Sequence, residues 1–131
     1  MNRIKGVSRL TKTILTFACL TVLALSLTAC GWKPKVTAVP ITAPWDRMDL
    51  PIKQNAIVWG STEKQFKAVH KDDKKTVMGR YVEALRNKGW AITKFDDKSE
   101  HNYFVDLSKG AEKMQLEVYD FENTGVIIEK K

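Results

Sequence analysis

The most regular pattern in the chain lies between Asp73 and Lys88, where Val77, Met78, Tyr81, Val82 and Leu85 recur at i, i+1, i+4, i+5 and i+8. At 100° per residue these five side chains share one arc of about 140°. Arg80, Glu83 and Arg86 fall opposite, three apart, where neighbouring charges on a helix surface interact. Asp72 or Asp73 supplies an N-cap and negative charge at the positive end of the helix dipole, and Gly89 supplies a residue able to end the helix with positive φ. The spacing predicts an amphipathic helix over about 73–88, lying on something flat.

The flat partner is written in period two. Tyr103, Val105 and Leu107 alternate against Asn102, Phe104, Asp106 and Ser108, and Met114, Leu116 and Val118 alternate against Gln115, Glu117 and Tyr119. Trp90 to Phe95 and Val126 to Glu129 read as further strands, separated by the turn signals Asp96-Asp97-Lys98-Ser99, Lys109-Gly110 and Glu122-Asn123-Thr124-Gly125. Before the helix, Ala56 to Gly60 and Gln65 to His70 form a hairpin through Ser61-Thr62-Glu63-Lys64. A short helix over 63–70, capped by Thr62 with Gln65 three residues on, competes with this reading; the β-branched and aromatic residues beside the turn favour the hairpin. Short turns between successive strands require antiparallel neighbours. The expected architecture is two-layer α+β, one helix on one face of an antiparallel sheet, in the order ββαβββ with a seventh element where the last stretch divides.

The start of the chain follows a different rule. Arg3, Lys5, Arg9 and Lys12 precede an uncharged apolar run, Thr13 to Ala29, whose 17 residues include four threonines. A basic tip followed by such a run has the order of an export signal, and its length sits at the lower limit for a spanning helix, about 17 residues. The run closes on Leu27-Thr28-Ala29-Cys30, which resembles the lipobox of bacterial lipoproteins. That resemblance implies a diacylglyceryl group on the Cys30 thiol, cleavage between Ala29 and Cys30, and palmitate-type acylation of the new terminus. In a Gram-negative cell it further implies, through Gly31, passage to the outer membrane. Two or more acyl chains suffice for a stable anchor, each buried methylene contributing about 0.8 kcal/mol.

Signal removal changes the composition. The formal charge of +7 suggests a nucleic-acid partner, yet four of the 22 Lys and Arg lie in residues 1–29, leaving 18 against 15 acids, or +3. Lys74-Lys75 also adjoins Asp72-Asp73, so the surface is mixed and a nucleic-acid partner is excluded. Cys19 falls in the discarded segment and Cys30 is the lipid site, so the remainder holds no thiol for a disulfide, a metal or a nucleophile. Residues 30–49 carry Pro34, Pro40 and Pro44 without periodicity and read as a tether able to hold the domain on the order of 60 Å from the lipid. Trp32 suits the interfacial layer of a bilayer. Trp45 either covers the core of the 50–131 domain or meets a partner.

The run Tyr81-Val82-Glu83-Ala84-Leu85-Arg86-Asn87-Lys88-Gly89-Trp90, after Leu50-Pro51-Ile52 and before a strand meander, resembles small bacterial extracytoplasmic domains whose helix ends Tyr-x-x-x-Leu-x-x-x-Gly-Trp. It implies the fold and carries no site. Chemistry is sparse. His70 and His101 stand alone, with only Asp72, Asp73, Asp96, Asp97 and Glu100 nearby in sequence, and zinc sites normally declare themselves by paired His or Cys. No phosphate loop, nucleophile elbow or zincin motif appears. Neither catalytic residues, a metal nor a cofactor is therefore expected. Phe104, Tyr119 and Ile127, on the face away from the helix, form with Trp45 the candidate partner surface. The expected function is a non-catalytic, protein-binding or structural lipoprotein of the cell envelope, contacting an envelope protein through this face or an edge strand. An immunity or exclusion lipoprotein that neutralises a toxin or phage component is the alternative, with a ligand-binding or enzymatic domain behind it. Replacing Cys30 by alanine is expected to leave an uncleaved, unlipidated precursor; gel mobility and labelling with a fatty-acid probe check this, and normal processing would refute the lipobox.

Overall fold

The computed structural model describes residues 32–53 and 55–131. Ala29, Cys30 and the rest of the signal segment lie outside the described residues. One helix packs on a six-stranded antiparallel sheet, an α+β fold. The strands are β1 (Ala56–Ser61), β2 (Gln65–His70), β3 (Ala91–Asp96), β4 (Asn102–Lys109), β5 (Glu112–Tyr119) and β6 (Thr124–Lys130), and α1 (Lys74–Asn87) joins β2 to β3. Their spatial order is β1-β2-β6-β5-β4-β3. Four antiparallel steps separate β2 from β3, so these two strands run the same way and the connection must travel back along the sheet. Fourteen helical residues span about 21 Å, close to the length of a six-residue strand at about 3.3 Å per residue. No described helix is long and apolar enough to cross a membrane.

Local chemistry sets the helix ends. The Asp73 carboxylate accepts from the Thr76 backbone N–H at 3.0 Å and from its hydroxyl at 2.7 Å, satisfying a first-turn donor. Gly89 takes φ +92 just beyond the last turn, a conformation that other residues adopt only under strain. Val77, Tyr81 and Leu85 are buried, while Met78 and Val82 are partly buried against the same core. In the hairpin the Gln65 N–H donates to Thr62 Oγ1 at 3.1 Å. That is the bond a capping box would make, but here it closes a β-turn.

Register sorts the strands into two faces. Phe66, Ala68 and His70 of β2 pair with Ile128, Val126 and Thr124 of β6. Beyond them Leu116 and Val118 on β5 and Val105 and Tyr103 on β4 continue the same rows. All are buried beneath the helix except the half-buried Tyr103.

The proline-containing segment corrects two expectations. The compact unit begins at Pro34, so residues 34–49 are part of the domain. Trp45, in a short 3-10 turn (Trp45–Arg47), is fully buried and is not a partner surface. Its indole N–H donates to the Thr62 carbonyl at 2.6 Å and its ring lies 6.0 Å from Phe66. The burial of a large aromatic outweighs the cost of ordering a few proline-restricted residues. On the way in, Lys35 N–H donates to Glu122 Oε1 at 3.1 Å, Val39 N–H to the Val58 carbonyl at 2.9 Å, and Thr42 N–H to Ser61 Oγ at 2.9 Å. The outer edge of β1 is thus covered by the chain itself.

One polar pair is sealed in the core. His70 is 1% exposed, with Nε2 2.7 Å from the Tyr81 hydroxyl and the rings edge to face at 5.2 Å. Burial pushes the His70 pKa down to about 4, Asp72 opposing and Arg80 assisting, and raises that of the Tyr81 phenol. In the unfolded chain the imidazole titrates near 6.5, so between pH 6.5 and 4 the unfolded state binds more protons. The contribution is fully present above pH 6.5 and is lost as pH falls through the folded value, about 3 kcal/mol across the window. Urea unfolding at pH 7.0, 5.5 and 4.5 is expected to show that decline, and a His70→Gln chain to lack it.

Candidate functional site

The sheet ends differently at its two edges. The β1 edge is covered by Val39 and Thr42, whereas β3 ends the sheet on the other side with five of its six residues exposed. In a regular strand Ile92 and Phe95, three apart, would point to opposite faces. The β3–β4 register shifts between Ile92 and Lys94, so Ile92 pairs with Leu107 and Phe95 with Val105, both inward-facing residues. The bulge inserts Thr93, whose hydroxyl donates to the Asp106 carbonyl at 3.2 Å, and brings both apolar side chains onto the helix face. There α1 does not cover them. Ile92 is 41% and Phe95 47% exposed.

Tyr103, partly buried against the core, extends this ledge toward the helix. The Tyr103 ring lies 6.1 Å from that of Phe95, and Lys74 Nζ sits 4.7 Å above it. The ammonium also donates to the Glu100 carbonyl at 2.7 Å and lies 3.6 Å from the Asp120 carboxylate. Asp120 in turn accepts from His101 Nδ1 at 3.0 Å, and its N–H donates to the His101 carbonyl at 3.2 Å. The His101 hydrogen bond, with the Lys74 charge, holds the Asp120 carboxyl below the usual carboxylate range. These contacts clamp the β3–β4 loop to the start of α1 and fix one end of the ledge.

Phe104, Tyr119 and Ile127 do share the opposite face, as the alternation predicts, but they form no continuous apolar patch. The row across the sheet reads Asp96, Phe104, Glu117, Ile127, Lys67, so each apolar residue is flanked by charge. Glu117 accepts from Asn102 Nδ2 at 2.6 Å. A shallow depression beside Phe104 is lined by Lys94, Asp96, Asp106 and Gln115. Tyr119 lies flat over Gly125, meets Phe121 edge to face at 6.3 Å, and its phenol pKa is raised by burial and by Glu117. All three residues are half-buried. Trp45 is on the other side of the sheet, against Phe66.

The two histidines do not meet either: His70 is in the core against Tyr81, and His101 is on the surface against Asp120. Among the described residues no three His, Cys, Asp or Glu side chains gather as metal ligands. Ile92 and Phe95 are the surface residues that the period-two reading passes over. The i, i+3 spacing alone does not reveal the bulge, since Phe104 and Leu107 stand equally far apart in a regular stretch of β4 and face opposite ways. No family model, curated protein or solved structure matches the chain.

The Tyr119 ring depends on the missing side chain at Gly125, since a Cβ there would overlap it. Gly125→Ala is expected to displace the ring and cost about 1–3 kcal/mol. Denaturant unfolding and the near-ultraviolet circular dichroism of the aromatic cluster check this.

Proposed function

We propose that this chain is a lipid-anchored lipoprotein of the cell envelope that acts without catalysis, by offering a protein-binding edge. The anchor is acylated Cys30, and in a Gram-negative cell the domain faces the periplasm from the outer membrane. The lipobox pattern Leu27-Thr28-Ala29-Cys30 after a basic tip and an apolar run supports export and attachment. The observation that carries the binding role is the β3 ledge. There a terminal strand holds Ile92 and Phe95 in water, 41% and 47% exposed, although the same helix face is closed elsewhere. Natural sheets blunt their edges with charge, cover or brevity, and an apolar edge left bare beside a helix fits strand addition by another protein.

A photoreactive amino acid at Phe95 in intact cells is expected to give one specific protein adduct, and the same probe at Glu63, in the β1–β2 turn, a diffuse background. Indistinguishable adducts from both positions would refute the proposal.

A further inference from the structure

We propose that the occupant of the β3 edge is a second copy of this chain, added antiparallel about a two-fold axis between Thr93 and Lys94. This rests on the binding role of the edge proposed above. The edge is complementary to itself. Antiparallel pairing centred there sets Ile92 of each copy opposite the second copy's Phe95, and Ala91 opposite its Asp96. The bulge makes this possible, because it turns Ile92 and Phe95 to the same face at equal distances from the strand centre. Two apolar cross-strand pairs result, of the aromatic–β-branched kind that stabilises sheets.

Charge is accommodated on the other face. The two Lys94 ammonium groups approach each other near the axis, but each is in register with its own Asp106 and follows the same face as Asp96. Two lysines therefore stand among four carboxylates. Among the described residues Lys94 makes no ion pair within the chain, and neither do Asp96 and Asp106.

The geometry also closes. β1, the opposite edge, is covered by residues 39–42, so pairing through β3 ends with two copies and a twelve-stranded sheet without propagating. A two-fold axis perpendicular to the sheet keeps both helices on one face and leaves the two Pro34 ends at one height along the axis. Two chains attached to the same bilayer can therefore pair without lifting either anchor, and confinement there raises their effective concentration.

Full-length chains carrying Ala91→Cys and differently tagged chains carrying Asp96→Cys are made together in a bacterial host and their membranes oxidised. A disulfide-linked heterodimer is expected on co-expression, little when either variant is made alone, and an at least tenfold lower yield when both chains also carry Phe95→Glu. Since Phe95 is half in water, that change leaves the thermal melt near its original midpoint, and the melt confirms that folding survives. Absence of the heterodimer from folded chains, or equal cross-linking by each variant alone, would overturn the inference. The photoreactive probe at Phe95 separates the two readings: an adduct with the chain itself supports the pair, and one with a different protein removes the second copy while keeping the binding role. An absence of specific adducts removes both.

Discussion

A fourteen-residue helix cannot cover a six-stranded sheet, and most of the structure follows from that shortfall. The helix is about 21 Å long and about 10 Å across, while six strands extend about 24 Å from first to last at about 4.8 Å per strand. Of the helix face, α1 shields the middle, where Val77, Tyr81 and Leu85 meet Leu116, Val118, Val126 and Ile128. Toward β1 the gap is filled by Trp45 and Leu50, carried in by the proline-containing segment. Toward β3 the cover from the described residues is incomplete, and Ile92 and Phe95 remain 41% and 47% exposed.

The two sides are held by different means. Trp45 is locked by an indole hydrogen bond to Thr62 and by contact with Phe66, and the Lys88–Asp49 ion pair at 2.7 Å ties the same segment to the end of α1. With 81% of the Asp49 side chain exposed, that pair contributes little compared with the burial of the indole. On the β3 side, Lys74, Asp120 and His101 fix the loop at one end of the ledge but leave its apolar surface uncovered.

The parts of the fold legible in the sequence are those decided by near neighbours. Asp73 and Gly89 mark the helix because caps act within a turn, and the faces of β4, β5 and β6 follow from alternation because side chains in a strand have period two. Trp45 is ambiguous in the sequence because a segment with Pro34, Pro40 and Pro44 has no period to read, and its docking depends on Phe66 and Thr62, about 20 residues away. The position of β6 between β2 and β5 is a matter of long-range pairing that no local pattern encodes. On the outer face the alternation placed Phe104, Tyr119 and Ile127 correctly. It did not reveal that Glu117 stands between Phe104 and Ile127, since cross-strand neighbours depend on register.

The bulge at Thr93 joins these observations. Without it, Phe95 and Ile92 would lie on opposite faces, and the edge would show one apolar residue to each side. With it, both residues lie on the helix face, partly exposed, with Phe95 beside Tyr103. Bulges at edges commonly twist a strand away from unwanted pairing. This one concentrates apolar surface at the edge, because Ile92 and Phe95 share a face there. A single inserted residue therefore determines which face of the edge carries both apolar side chains.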